Sequence, residues 1–219
     1  MLKNKKAVIF DLDGTLSNTL GAITEAVNMT MSFFGYPLKS EDSVRRAIGN
    51  GAKMLMRRVV PESVSDDENQ ILKVLEKYNA MYAITCMHTT EMYSGIKETV
   101  EALVKRKIKV AIFSNKQDGY VKKLADMYFP NGEITLARGQ TELPIKPDPT
   151  GVKIIMQELG VTPEDCVFVG DSGVDVATAQ NANMDFIGAG WGFCGGEELS
   201  KFGAKLIADD PKQILDMLN

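Results

Sequence analysis

The stretch Val8–Thr19, VIFDLDGTLSNT, joins an apolar run to two carboxylates on alternate positions, Asp11 and Asp13. Like charges that lie close together repel, and burying them without compensation is costly. A chain selected only for stability would avoid such a pair. Either the stretch is therefore a solvated turn, or something positive lies between the two carboxylates.

Apolar runs rich in β-branched residues recur along the chain and predict strands. They cover residues 7–10, 108–113, 166–169, 185–189 and 205–208. Segments with helical spacing lie between the later runs, as in IKETVEALVKR and PTGVKIIMQELG. Continuous apolar strands that alternate with helices indicate a parallel sheet covered on both faces. With right-handed crossovers, the sequence predicts an α/β fold with a doubly wound, Rossmann-like parallel sheet.

The segment between the first and second predicted strands contains only helical patterns. Ser40 is expected to cap the second of four helices, and Ser65 with Glu68 has the spacing of a capping box before the last. We therefore expect a small helical bundle inserted after the first strand. The predicted domains are a core of residues 1–16 and 93–219 and an inserted domain, with its linkers, at 17–92.

Composition limits the classes of partner. The 219 residues are 44% hydrophobic and 25% charged, and the net charge of −4 gives no basic excess for binding nucleic acid or an anionic membrane. No apolar run has the length of a membrane span, and we expect no signal peptide. Cys86, Cys166 and Cys194 lack the spacing of a zinc site, so we expect reduced thiols and a cytoplasmic location. With His88 as the single histidine, chemistry is expected to use carboxylates.

Polar residues also follow the other predicted strands. Ser114 and Asn115 come after residues 108–113, Lys146 lies in LPIKPDP, and Asp171 and Asp175 lie in GDSGVD after residues 166–169. Because ligands bind beyond the carboxyl ends of parallel strands, these groups should gather around the opening pair. Carboxylates suit Mg²⁺, whereas a hydroxyl, an ammonium and a helix N-terminus suit a phosphoryl group. The sequence thus predicts a Mg²⁺-dependent phosphoryl-transfer site with a carboxylate as the available nucleophile.

An EF-hand calcium loop is a competing interpretation of the D-x-D-G sequence. Such a loop needs glycine at its sixth position and an acidic residue at its twelfth. Counted from Asp11, these positions hold Leu16 and Ala22. The calcium-loop interpretation therefore fails.

Four segments resemble, in the right order, the four motifs of the haloacid dehalogenase-like hydrolase superfamily: FDLDGT, FSNK with Ser114, KPDP with Lys146, and GDSGVD. The resemblance covers essentially the whole chain, and it implies that residues 17–92 are a type-1 cap domain. It also implies that Asp11 attacks phosphorus to form an aspartyl-phosphate, while Asp13 protonates the leaving oxygen and then activates water. The implied Mg²⁺ ligands are the side chains of Asp11 and Asp171 and the backbone carbonyl of Asp13, with Asp175 in support. The implied ligands of the phosphoryl group are Ser114, Lys146 and Asn115.

Within the superfamily the chain looks most like phosphoglycolate phosphatases. The stretch RAIGNGAKML is similar to their glycine-rich cap segment. This similarity makes Gly49, Asn50 and Gly51 candidates for substrate contacts. The alternative, which stays open, is that these residues only form a helix–turn–helix connection. Relatives often have Asp at the position of Asn18 and Gly at that of Asn183. The expected substrate is a small phosphorylated metabolite, and a monomer and a homodimer both remain open.

Two other functions use the same motifs. A phosphomutase of the β-phosphoglucomutase type would return the phosphoryl group to a sugar instead of water. A non-catalytic binding or regulatory module would have lost a catalytic group, yet Asp11, Asp13, Lys146 and Asp171 are all present. Asp13 also argues against the haloalkanoate dehalogenase branch, because a halide leaving group needs no proton. We therefore expect a Mg²⁺-dependent phosphomonoester hydrolase that acts through an aspartyl-phosphate.

Overall fold

The computed structural model describes residues 2–86, 88 and 90–218. By its internal contacts the chain divides into two units, one with the chain up to Ser17 and from Met92 onward, the other with Asn18–Glu91. Within the described ranges, we find no helix with the length and apolarity needed to cross a bilayer. In chain order the elements are β1 (Ala7–Phe10), β2 (Ser17–Asn18), α1 (Leu20–Phe34), α2 (Glu41–Ala47), α3 (Gly51–Val59), α4 (Glu62–Ser65), α5 (Glu68–Thr85), β3 (Glu91–Met92), α6 (Ile96–Lys105), β4 (Lys109–Gln117), α7 (Asp118–Tyr128), β5 (Leu136–Gln140), α8 (Thr150–Leu159), a 3₁₀ turn (Pro163–Asp165), β6 (Cys166–Gly170), α9 (Gly173–Asn181), β7 (Asp185–Ala189), α10 (Gly195–Lys201), β8 (Ile207–Ala208) and α11 (Gln213–Met217).

A six-stranded parallel sheet forms the centre of the first unit, with the spatial order β5-β4-β1-β6-β7-β8. Strand β1 is central, and Phe10 is level with Ile112 of β4 and Val169 of β6. The carboxyl ends of these three strands consequently meet at one edge of the sheet. The predicted α/β fold with a doubly wound parallel sheet is confirmed.

Helices cover both faces of this sheet, which explains why β1 is apolar at every position. Val8 and Phe10 pack in a core with α6, α7 and α11, whereas Ala7 and Ile9 pack in a second core with α8 and α9. Successive side chains of a strand point to opposite faces, so a strand between two helical layers needs apolar residues throughout. All four residues of β1 are fully buried.

Strand β5 has no counterpart in the sequence prediction. It lies at the edge of the sheet, and Leu136, Ala137 and Arg138 are only partly buried, so it lacks a long apolar run. Gly139 serves a steric purpose in this strand. A Cβ atom there would lie 2.5 Å from both the Asp118 Cα and the Lys116 carbonyl oxygen, so the close approach of β5 to the end of β4 requires glycine.

The second unit consists of α1–α5, and α1 packs against α5, where the Thr85 hydroxyl donates to the Ala22 carbonyl at 2.9 Å. Ser40 caps α2 as predicted, because its side chain accepts a hydrogen bond from the Ser43 N–H. The predicted capping box of Ser65 and Glu68 is wrong. Asp67 caps α5 instead, because its carboxylate accepts hydrogen bonds from N–H groups of the first turn. Its negative charge also suits the positive end of the helix dipole. Ser65 is the last residue of the short helix α4.

Two very short strands also depart from the prediction that residues 17–92 contain only helices. Strands β2 and β3 pair in a separate two-stranded sheet. Each has only two residues, which is too short for a period-two pattern to be visible in the sequence.

Candidate active site

A tight turn after β1 carries the opening pair of carboxylates. The Asp11 N–H donates to the Val169 carbonyl of β6, and the N–H groups of Leu16 and Ser17 both donate to the Leu12 carbonyl. Gly14, within this turn, has a φ of 82°. The turn thus fixes Asp11 at the end of the central strand and lets the chain leave the sheet directly after it.

Three of the predicted carboxylates form one buried cluster. Asp11, Asp171 and Asp175 each place an oxygen within 4.8 Å of the others. Lys146, which is 2% exposed, lies in contact with two of them. Its Nζ is 2.9 Å from Asp11 Oδ1 and 2.6 Å from Asp175 Oδ1. The structure therefore brings the predicted residues of three distant motifs together in the first unit.

The cluster has more negative than positive charge, and the pKa values respond to it. Burial, and next the Asp175 and Asp11 carboxylates, raise the pKa of Asp171 well above its ordinary value. Burial also raises the pKa of Asp11 to about 6, although Lys146 opposes this rise. Burial alone would lower the pKa of Lys146, but the Asp11 and Asp175 carboxylates raise it instead. The ammonium is therefore held in its charged form.

Glycines make room for the carboxylates. A Cβ atom at Gly14 would lie 2.1 Å from Asp171 Oδ2, and one at Gly192 would lie 2.2 Å from Asp171 Cβ. A Cβ at Gly170 would lie 2.4 Å from Asp175 Cβ. Backbone surrounds the carboxylates so closely at these points that only glycine fits.

Asp171 is held by residues that the sequence prediction did not include. The Thr15 hydroxyl donates to Asp171 Oδ1 at 3.2 Å, and the Phe193 N–H donates to Asp171 Oδ2 at 2.7 Å. The indole N–H of Trp191 in turn donates to the Thr15 carbonyl at 2.9 Å. The segment after β7 therefore orients this carboxylate. Thr15 lies within the FDLDGT motif, but the contacts of Trp191 and Phe193 depend on chain segments far apart in sequence.

Asp13 lies outside this cluster of three carboxylates and has a different partner. Lys116 Nζ lies 2.7 Å from Asp13 Oδ1 and 3.0 Å from Asp13 Oδ2. The side chain of Lys116 is 6% exposed, and that of Asp13 is 15% exposed. Lys116 was absent from the predicted site, although it directly follows Ser114 and Asn115 in the FSNK motif.

Ser114 and Asn115 are buried within β4, because this strand continues to Gln117, beyond its predicted end at residue 113. The Asn115 side chain pairs with the backbone of Lys146, because its Oδ1 accepts from the Lys146 N–H at 2.8 Å and its Nδ2 donates to the Lys146 carbonyl at 3.0 Å. Asn115 thus positions Lys146. That Ser114 and Asn115 also bind phosphate stays a prediction.

The candidates Gly49, Asn50 and Gly51 lie in the second unit, at the connection between α2 and α3. Gly49 and Gly51 have φ values of 122° and 77°, so the turn itself needs glycine there. Arg58 braces the connection, donating to the Asn50 side chain at 2.7 Å and to the Ala47 carbonyl at 2.8 Å. A structural role is therefore established for the turn, and its part in substrate binding stays a prediction.

The two departures from related sequences have local explanations. The Asn18 side chain accepts a hydrogen bond from the Leu20 N–H at 3.3 Å, at the start of α1. Asn183 has a φ of 56°, a left-handed conformation that asparagine tolerates better than most residues and that glycine also adopts. Neither residue belongs to the carboxylate cluster.

The cluster fits a divalent cation. Its donors are carboxylate oxygens, which Mg²⁺ prefers, and three carboxylates face the single ammonium of Lys146. Such an excess of buried negative charge is costly unless a cation offsets it. Asp11, Asp171 and Asp175 are the side chains that could hold the ion.

Comparison with known proteins gives one consistent family. The model of the haloacid dehalogenase-like hydrolase family matches residues 8–189. Phosphoglycolate phosphatase 1 of Pseudomonas aeruginosa is 31% identical to this chain, and the match covers 96% of this chain and 78% of that protein. The phosphoglycolate phosphatase of Vibrio parahaemolyticus is 28% identical, and the match covers 97% of this chain and 96% of that protein. The crystal structure of a predicted phosphoglycolate phosphatase from Haemophilus somnus superimposes with a TM-score of 0.89 at 27% identity, covering 98% of both chains.

Proposed function

The chain belongs to the haloacid dehalogenase-like hydrolase family and is a phosphatase, and from that premise we propose that it is a Mg²⁺-dependent phosphomonoester hydrolase of small metabolites that forms an aspartyl-phosphate. The buried cluster of Asp11, Asp171 and Asp175 around Lys146 carries this proposal. Structural ion pairs balance charge, whereas this cluster keeps an excess of carboxylates. Such an excess suits a site that receives a cation together with its substrate.

In the proposed reaction, Asp11 attacks the phosphorus and the bond to the leaving oxygen breaks. Asp13 gives its proton to that oxygen, then takes a proton from the water that attacks the aspartyl-phosphate and frees Asp11. Lys146 neutralises part of the charge on the phosphoryl oxygens, and Ser114 and Asn115 contribute polar contacts to them. Asp11, the backbone carbonyl of Asp13 and Asp171 would hold Mg²⁺, with Asp175 supporting the set. When bound, Mg²⁺ supplies a positive charge that reduces repulsion between the nucleophile and the phosphoryl group.

The relatives named phosphoglycolate phosphatases support a small phosphorylated acid as the first substrate to test. We assign residues 17–92 the role of a cap that selects the substrate, with the Gly49–Asn50–Gly51 turn as its candidate contact. Asn50→Ala should then change the ratio of kcat/KM values among phosphate esters while leaving Mg²⁺ dependence intact. Equal kcat/KM changes for all esters would contradict this role. We place the enzyme in the cytoplasm as a monomer or homodimer without a nucleic-acid or membrane partner.

The decisive experiment measures phosphate release from phosphoglycolate, sugar phosphates, nucleotides and pyrophosphate, with Mg²⁺ and with a chelator. We expect Mg²⁺-dependent release by the wild type and a loss of at least about a thousandfold in Asp11→Asn, as for other essential nucleophiles. Asp126→Asn, which removes an exposed carboxylate in α7, is the matched control and should retain activity. Absence of release by a folded wild type would overturn the proposal, and activation by a sugar bisphosphate would instead identify a mutase.

A further inference from the structure

The contact between Lys116 and Asp13 has no role in the reaction outlined above. One ammonium lies within hydrogen-bond distance of both oxygens of the carboxylate, at 2.7 and 3.0 Å. Both side chains are largely buried, at 6% and 15% exposure. Contact with both oxygens restricts rotation of the carboxylate about its terminal bond, so the direction in which Asp13 presents its oxygens is fixed.

The backbone of Lys116 is itself confined. Its N–H donates to the Ser114 side chain at 3.4 Å, and its carbonyl lies so close to β5 that a Cβ at Gly139 would approach it to 2.5 Å. The lysine thus extends from the end of β4 toward the turn after β1. A buried lysine–carboxylate pair is a poor source of stability, because the desolvation of both ions opposes their attraction. Orientation of Asp13 is a better explanation for it.

We propose that Lys116 is a positioning residue for proton transfer by Asp13, an inference that rests on the function proposed above. When the ester bond breaks, its electron pair stays on the leaving oxygen and the proton of Asp13 moves to that oxygen. Asp13 is left as a carboxylate beside Lys116, which is the arrangement in the structure. The later proton from water returns Asp13 to its starting form. Lys116 touches neither phosphorus nor the leaving oxygen in this scheme and acts through Asp13.

The dependence on the leaving group separates this role from others. An alkoxide leaving group is strongly basic and needs a proton as it departs, whereas p-nitrophenolate is stable without one. A lysine that orients the proton donor should therefore matter for formation of the aspartyl-phosphate from alkyl phosphates and matter little for its formation from aryl phosphates. A lysine that binds the phosphoryl group, or only stabilises the fold, should affect both kinds of ester alike.

The experiment compares kcat/KM of wild type, Lys116→Met and Lys116→Arg on the best alkyl phosphate of the panel and on p-nitrophenyl phosphate. For Lys116→Met we expect kcat/KM on the alkyl ester to fall by about 10² and kcat/KM on the aryl ester by less than about threefold, as for a misoriented general acid. This parameter covers the steps up to formation of the aspartyl-phosphate, whereas kcat also includes its hydrolysis, in which Asp13 acts as the base for both esters. Lys116→Arg should recover part of the loss on the alkyl ester. Lys5→Met is the matched control, because Lys5 is also buried and paired, with Asp185 at 2.5 Å, and should leave both rates unchanged.

A double-mutant cycle makes the test decisive. If Lys116 acts through Asp13, then adding Lys116→Met to Asp13→Asn should lower kcat/KM on the alkyl ester by less than about a further threefold. Equal losses on both esters, or a full further loss in the Asp13→Asn background, would overturn the inference. Circular dichroism and thermal unfolding verify that each variant is folded, and Lys116→Arg serves if the Met variant is not. The wild-type panel tests the proposed function separately, so an active wild type with equal losses would refute only the role of Lys116.

Discussion

Replacing Asp171 by Asn should make the metal-free protein more stable, although Asp171 is buried and hydrogen-bonded. The substitution preserves shape and both contacts, because the new amide oxygen can accept from the Phe193 N–H and the new NH₂ can donate to the Thr15 hydroxyl. It removes one of three carboxylates whose oxygens lie within 4.8 Å of one another. The change therefore isolates the charge of Asp171 from its packing.

The magnitude follows from Coulomb's law. Two unit charges about 5 Å apart repel by roughly 3 kcal/mol at an effective dielectric constant of about 20. Lys146 offsets part of this repulsion, as the causes of the raised Asp171 pKa indicate. We expect the free energy of unfolding without metal to rise by about 1–3 kcal/mol, which for a chain of this length raises Tm by roughly 2–12 °C.

The assay is thermal unfolding at neutral pH, in a chelator and in Mg²⁺. The wild type should gain stability in Mg²⁺, because the ion binds the folded state, and Asp171→Asn should respond weakly or not at all. Asp165→Asn is the matched control. A hydrogen bond from Lys6 holds the pKa of Asp165 below its ordinary value. Removing this carboxylate charge should therefore not stabilise the protein, and it should leave the Mg²⁺ response intact. An Asp171→Asn protein that is less stable than wild type in the chelator, or that keeps the full Mg²⁺ response, would refute the reasoning.

Three further results are expected. The pKa of Asp11 rises from 3.8 to about 6 on folding, so between these pH values the folded metal-free protein keeps a proton that the unfolded chain loses. The free energy of unfolding, measured in urea, should therefore fall as pH rises across this interval. Asp11→Asn should flatten this pH dependence. Gly192→Ala should displace the turn beside Asp171 and weaken Mg²⁺-induced stabilisation, measured by thermal unfolding, whereas Gly119→Ala, where a Cβ meets nothing within 4 Å, should not. Lys146→Met should lower the free energy of unfolding in urea by about 3–5 kcal/mol, because it leaves the Asp11 and Asp175 carboxylates uncompensated. Lys5→Met should lower it by less, because its partner Asp185 is 49% exposed. Equal losses in the two variants would contradict this reasoning.

The location of the site could be predicted from sequence because its residues lie at the ends of strands. Asp11 follows β1, Ser114 lies near the end of β4, and Asp171 follows β6. Once apolar runs and helices indicate a parallel sheet, topology alone brings these residues to one edge. Strand β5 escaped prediction because an edge strand needs no apolar run, and its Gly139 reads as a loop residue unless the neighbouring backbone is known.

Side-chain pairing could not be predicted in the same way. Lys116 and Asp13 are 103 positions apart, and Trp191 and Thr15 are 176 apart. Each contact depends on rotamers and on loop paths that no local pattern specifies. The cap of α5 shows the same limit at short range. Ser65 and Glu68 have the right spacing, but the helix begins after Asp67 because a carboxylate at that position satisfies the first free N–H groups.

The pairing explains how Asp11 and Asp13 can lie two positions apart in a largely buried turn. The structure places a different lysine against each of them, with Lys146 in contact with Asp11 and Asp175 and Lys116 in contact with Asp13. Asp11 also shares its surroundings with two further carboxylates, which raise its need for a cation, whereas Asp13 lies outside that group. Two identical side chains in different environments can take different roles, one as nucleophile and one as proton donor. The division is testable, since Asp13→Asn should preserve Mg²⁺-induced stabilisation that Asp11→Asn reduces.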